Sequence, residues 1–87
     1  MNVDLLIKNA RIVMEDGVRT GCLAVTGETI TDVLPQDADV RAGCTVDARG
    51  MVLLPGAIDT HPHFFEPGPT YREDLLHGTR AAASGGF

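Results

Sequence analysis

The sequence predicts a mixed β and α/β fold: a β-sandwich segment over 1–54, then the first βα unit of a larger domain over 55–87. Three observations carry this reading. Short apolar runs separated by turn residues fill the first part. Pro55-Gly56 breaks the apolar run 51–58. Beyond it, His61-Pro62-His63 ends a strand-like stretch, and an apolar stripe at helical spacing follows.

Taken in order, 3–8 and 11–14 read as strands separated by Asn9-Ala10. Glu15-Asp16-Gly17 then supplies a turn, with glycine free to take a positive φ. Residues 22–25 and 29–34 flank Gly27-Glu28 as a hairpin. The polar stretch 35–43 reads as a loop, and 45–48 and 51–54 as two more strands around Arg49-Gly50. Residues 57–65 read as a strand and Glu66-Pro67-Gly68-Pro69 as a loop. A helix is predicted over 70–84, with Thr70 and Glu73 as a capping box and Leu75, Leu76, Thr79, Ala82 and Ala83 as a core-facing stripe. Gly85-Gly86 ends it, and Phe87 would begin another strand. One βα unit cannot close a parallel sheet, so the chain reads as the amino-terminal piece of a longer protein.

Composition narrows the class. A net charge of −5, with scattered acids, argues against nucleic acid or an anionic membrane as partner. No apolar stretch has the length of a membrane span. Met1-Asn2-Val3-Asp4 has neither the basic region nor the apolar core of a signal peptide, so a cytoplasmic setting is expected. Cys22 and Cys44 are accordingly read as reduced, buried thiols.

The chemistry centres on the histidines. On a strand, side chains alternate, so Asp59, His61, His63 and Phe65 share one face and Ile58, Thr60, Pro62 and Phe64 the other. Two imidazoles on one side can grip one metal ion. On a helix the same pair would stand roughly 200° apart and could not.

Pro55-Gly56-Ala57-Ile58-Asp59-Thr60-His61-Pro62-His63-Phe64-Phe65-Glu66-Pro67-Gly68 resembles the first metal motif of the amidohydrolase superfamily. Thr70-Tyr71-Arg72-Glu73-Asp74 and the run from Gly78 to Phe87 sharpen the resemblance to the cyclic amidohydrolases, dihydroorotase foremost, with allantoinase and dihydropyrimidinase/hydantoinase nearby. Residues 1–54 resemble that family's amino-terminal β-sandwich segment. The resemblance implies a (β/α)8 barrel in which a metal-activated water attacks a ring amide carbon. It implies one or two divalent ions, usually zinc, with His61 and His63 as ligands. Further ligands and the catalytic aspartate would come from later strands, so no catalytic residue is expected within this chain, which alone should be inactive. The full-length protein would act on a small cyclic amide and form a homo-oligomer.

Other residues have plainer readings beside the functional ones. Asp59 either orients a ligand or bonds backbone amides. Glu66 is a turn residue as readily as a functional one, and His77 reads as a solvated helix residue. Phe65 departs from dihydroorotases, which usually carry arginine there to hold the substrate carboxylate. Phenylalanine can make no such bond, so Phe65 is a substrate-side residue that favours an uncharged ring. Allantoinase or hydantoinase is the runner-up within the enzymes. A non-catalytic homologue with a binding or structural role is the reading from another class.

Overall fold

A computed structural model of the chain describes residues 1–63, 67–68 and 74–87. They form two compact units, Met1–Pro55 and Gly56–Phe87. The first holds five strands: β1 (Asn2–Met14), β2 (Gly17–Thr26), β3 (Thr29–Pro35), β4 (Arg41–Asp47) and β5 (Val52–Leu53). The second holds the helix α1 (Leu75–Ser84).

The five strands make one mixed sheet ordered β3-β2-β1-β4, with β5 also on β1. This differs from the two facing layers expected of a sandwich. The other four strands are all joined to β1, directly or through β2. β1 and β2 run antiparallel from Leu5↔Val25 to Met14↔Gly17. β2 and β3 form the second hairpin, whose Gly27 has φ 61° and donates its amide to Asp4 Oδ2 at 2.6 Å. β4 returns parallel to β1, from Asn2↔Arg41 to Lys8↔Asp47, and β5 repeats this with Arg11↔Val52 and Ile12↔Leu53.

β1 is one strand where two were expected. Lys8 and Asn9 stand against the single residue Cys22, which makes a bulge rather than a break. Asn9 takes φ 56°, a left-handed conformation that asparagine tolerates better than most residues. Its neighbours keep the local backbone bonded: Ala48 N donates to Lys8 O and Gly50 N to Asn9 O, both at 2.8 Å. The Asn9 side chain donates to Asp47 Oδ1 at 2.9 Å and accepts from Gln36 Nε2. β4 also starts earlier than expected, at Arg41, because pairing with β1 extends the strand into residues too polar to announce it.

Both faces of the sheet are apolar. Val3, Leu6, Cys22 and Ala24 cluster with Leu34, Val40 and Ala42. Ala10, Ile12 and Ala48 cluster with Ile7, Met14, Leu23, Val33 and Leu53. Along β2 and β3 adjacent residues fall in different clusters (Cys22 against Leu23, Val33 against Leu34), as strand alternation there requires. Leu6 and Ile12, only 6% and 4% exposed, each contribute about 1.5–3 kcal/mol by burial.

Three expectations are corrected. Cys22 is buried but Cys44 is exposed, because it lies on the outer strand β4; both are free thiols. Residues 57–63 are not a strand: no described strand lies alongside to take their amides and carbonyls, and Ala57 N instead donates to Gly86 O at 2.7 Å. The stripe on α1 is not core-facing, since Leu75 and Leu76 are exposed and Gly78 is the buried residue. The expected capping box at Thr70 and Glu73 lies outside the described residues.

Gly21 is where two backbones meet most closely. A Cβ there would fall on the Leu34 carbonyl of β3, too close to be accommodated without moving that strand. Gly21→Ala is expected to cost about 2–3 kcal/mol, read as a lower urea midpoint at unchanged slope. Gly43→Ala, whose Cβ would meet only the Asp4 carbonyl at 3.2 Å, serves as the milder comparison and should cost less. Equal midpoints for the two variants would contradict this packing.

Candidate metal-binding segment and its helix

The candidate site lies wholly in the second unit. Pro55-Gly56 ends the β segment, and Ala57 is tied to the far end of α1 by its bond to Gly86 O. That helix end is closed by its glycines: Gly85 N donates to Ala81 O and Ala82 O at 3.3 and 3.1 Å, and Gly86, at φ 92°, donates to Ala83 O. Phe87 N then reaches back to Ala82 O at 3.0 Å. The result is an open hollow of about 480 Å³ lined by Ala57, Ile58, Asp59, Pro62, His63, Ala82 and Phe87.

His63 lines it, and His61 stands two residues before. Their ring centroids are 4.9 Å apart with an interplanar angle of 60°, and both residues are exposed. Asp59 Oδ1 accepts the His61 amide at 3.0 Å, an Asx turn that fixes the entry into the His-Pro-His stretch. Phe65 and Glu66 lie outside the described residues.

Two imidazoles fit a zinc ion as part of its ligand set. Their nitrogens are borderline donors of the type zinc prefers, and exposure leaves them free to turn toward a common point. They do not complete a site. A catalytic zinc uses three protein ligands, and among the described residues no group of three His, Cys, Asp or Glu side chains could hold an ion.

One pair had no place in the sequence reading. Asp74 is the N-cap of α1: its Oδ1 accepts the His77 amide at 2.8 Å and lies 2.7 Å from His77 Nδ1. His77 is solvated as expected, yet it is partnered. The signal was present as Asp74-Leu75-Leu76-His77, an acid immediately before the apolar pair of a helix start. The His77 amide, and then its ring, hold the Asp74 carboxyl below its ordinary pKa.

No family model matches the sequence. The chain is 44% identical, over 99% of its length, to an allantoinase from Streptomyces avermitilis. It is 40% identical over its whole length to an allantoinase from Escherichia coli K12, and 37% identical over 95% to a dihydroorotase from Pediococcus pentosaceus. It spans about a fifth of these relatives, 20%, 19% and 19% respectively. Among solved structures, L-hydantoinase (dihydropyrimidinase) from Arthrobacter aurescens superposes with a TM-score of 0.71 at 29% identity, over 78% of this chain and 15% of that one. A Bacillus thuringiensis protein shares the fold alone, with a TM-score of 0.53 at 24% identity over 77% of this chain and 99% of that one.

The cap at Asp74 makes α1 acid-sensitive. A carboxyl whose pKa is depressed on folding stabilises the helix above the ordinary carboxylate range, and that contribution is lost as pH falls through the folded value. Helical Cα shifts at Leu76 and Gly78 are expected to collapse toward coil values below about pH 4. In Asp74→Ala they should already be reduced at neutral pH, with no such acid step. An unchanged acid step in that variant would assign it to another group.

Proposed function

We propose, for a chain that belongs to the cyclic amidohydrolases along its whole length, that it forms the amino-terminal part of a metal-dependent enzyme hydrolysing a ring amide C–N bond. The observation that carries the reading is the pairing of His61 and His63, rings 4.9 Å apart, directly after Pro55-Gly56-Ala57-Ile58-Asp59. In this reading 55–87 supplies the first βα unit of a barrel, and the strand expected over 57–65 is completed only when neighbouring strands take up its backbone bonds.

His61 and His63 hold a divalent ion, zinc by donor type, together with ligands from beyond this chain. Such an ion would act as a Lewis acid toward the ring amide carbonyl. Asp59 fixes the backbone on which both histidines ride through its bond to the His61 amide. The hollow beside His63 offers an apolar wall, Ile58, Pro62, Ala82 and Phe87, suited to the flat face of a small ring.

For the substrate, Phe65 favours an uncharged ring of the hydantoin type. A carboxylate buried against a phenyl ring with no cation to meet it is strongly disfavoured. The 44% and 40% identities to allantoinases lean the same way. A dihydroorotase reading is favoured instead by Glu66-Pro67-Gly68, which matches that branch of the motif.

Two outcomes are expected in the enzyme that carries this segment. His61→Ala or His63→Ala should lower metal content and kcat together, by about 100-fold or more in kcat, while His77→Ala leaves both within about twofold. Full metal occupancy and activity in His61→Ala would remove it from the ligand set. Comparing kcat/KM for a hydantoin-type ring and for dihydroorotate should favour the uncharged ring by about tenfold or more, with the preference narrowed in Phe65→Arg. A native preference for dihydroorotate would sink the substrate assignment and leave the metal assignment standing.

A further inference from the structure

Gly85 and Gly86 close α1 side by side, but they make different demands of the chain. Gly85 has φ −88°, which any residue adopts. A Cβ there would make only ordinary contacts, with Ala82 O at 3.5 Å and Phe87 Cδ2 at 3.7 Å. Gly86 has φ 92°, a conformation that residues with a Cβ rarely take, although a Cβ there would meet nothing within 4 Å. Glycine is therefore called for at 86 by backbone direction and not by space. Rotation about the N–Cα bond carries the carbonyl with it, and at φ 92° the Gly86 carbonyl receives the Ala57 amide at 2.7 Å. At an ordinary negative φ the same carbonyl would be turned away from that amide.

The bond matters because of what Ala57 leads into. Two residues on, Asp59 Oδ1 accepts the His61 amide at 3.0 Å, and the rings of His61 and His63 follow, 4.9 Å apart. The Gly86 carbonyl thus fixes the point from which the His-Pro-His stretch departs. The same turn places Phe87, whose amide donates to Ala82 O at 3.0 Å and which lines the hollow beside His63. This demand lies in the backbone angle of Gly86 itself, so it holds whatever covers that end of the helix. We infer, on the reading that His61 and His63 hold a divalent ion, that Gly86 is a positioning residue for that site. Its left-handed backbone sets the histidine pair and Phe87 from one point, and so governs metal affinity without touching the ion.

The test compares Gly85→Ala, Gly86→Ala and Gly86→Asn in the enzyme that carries this segment. Asparagine accepts a positive φ better than alanine does. Zinc affinity of the metal-stripped enzyme is read by competition with a chelator. Amide hydrogen exchange over 56–60, read by mass spectrometry without metal, reports on the Ala57 bond, and exchange across α1 reports on folding. Gly86→Ala should weaken zinc binding by about 10–100-fold and lose protection at Ala57, while Gly85→Ala changes either by no more than about twofold. Gly86→Asn should recover part of both losses. Where Gly86→Ala does not fold, Gly86→Asn carries the comparison, with an intermediate loss relative to Gly85→Ala expected. Native zinc affinity or native Ala57 protection in a folded Gly86→Ala enzyme overturns this inference alone. So do equal losses in Gly85→Ala and Gly86→Ala, or an asparagine variant no better than the alanine one. Zinc retained in full by His61→Ala would instead overturn the ligand reading, and this inference with it.

Discussion

β1 is bonded along both flanks, and the rest of the β unit depends on that arrangement. It serves β2 on one side and β4 then β5 on the other, so its removal would dissolve the sheet. A strand that serves two partners on the same flank must change direction between them. The left-handed turn at Asn9 makes that change, and it sits where β4 gives way to the Arg49-Gly50 turn. Arg49, at φ 53°, repeats the conformation across the gap. Asp47 stitches the two bends together: its Oδ1 receives the Asn9 amide group and the Arg49 backbone amide, and these bonds hold its carboxyl below the ordinary value.

Much of this was legible from local chemistry. Glu15-Asp16-Gly17 and Gly27-Glu28 mark the two hairpins because a tight reversal needs residues that accept unusual backbone angles, and Gly85-Gly86 closes the helix for the same reason. The features that were not legible depend on partners distant in the chain. Arg41-Ala42-Gly43 has no strand pattern of its own, and only the β1 edge makes it one. Asn9-Ala10 reads as a break between strands, and only the Ala48 and Gly50 amides, donating to the Lys8 and Asn9 carbonyls, make it a bulge in one strand. Residues 57–63 show the converse: their alternation suits a strand, but alternation supplies no hydrogen bonds.

At the candidate site the spacing of His61 and His63 was legible, but their nearness to the helix end, through the Ala57–Gly86 bond, was not. What the spacing could not reveal is how the backbone between them is held without a strand. Here Asp59 and the Ala57–Gly86 bond do that work with two hydrogen bonds. The Asp74–His77 pair escaped notice for a different reason. A histidine on an exposed helical face has no burial to mark it, and its partner acts through capping, which leaves no periodic trace.

The parallel ladder between β1 and β4 has a cost in chain entropy that the hairpins avoid. Its partners lie 39 positions apart, as in Asn2↔Arg41, whereas β2 and β3 meet across the two-residue turn Gly27-Glu28. The entropy lost on closing a loop grows only logarithmically with its length, but the long closure still carries a penalty of about 2–3 kcal/mol relative to a tight turn. The β1-β2-β3 meander can thus assemble from neighbouring contacts alone, while β4 and β5 have bonds to gain only once β1 is already extended and waiting. The strand that closes the β unit is therefore also the one whose docking is easiest to delay.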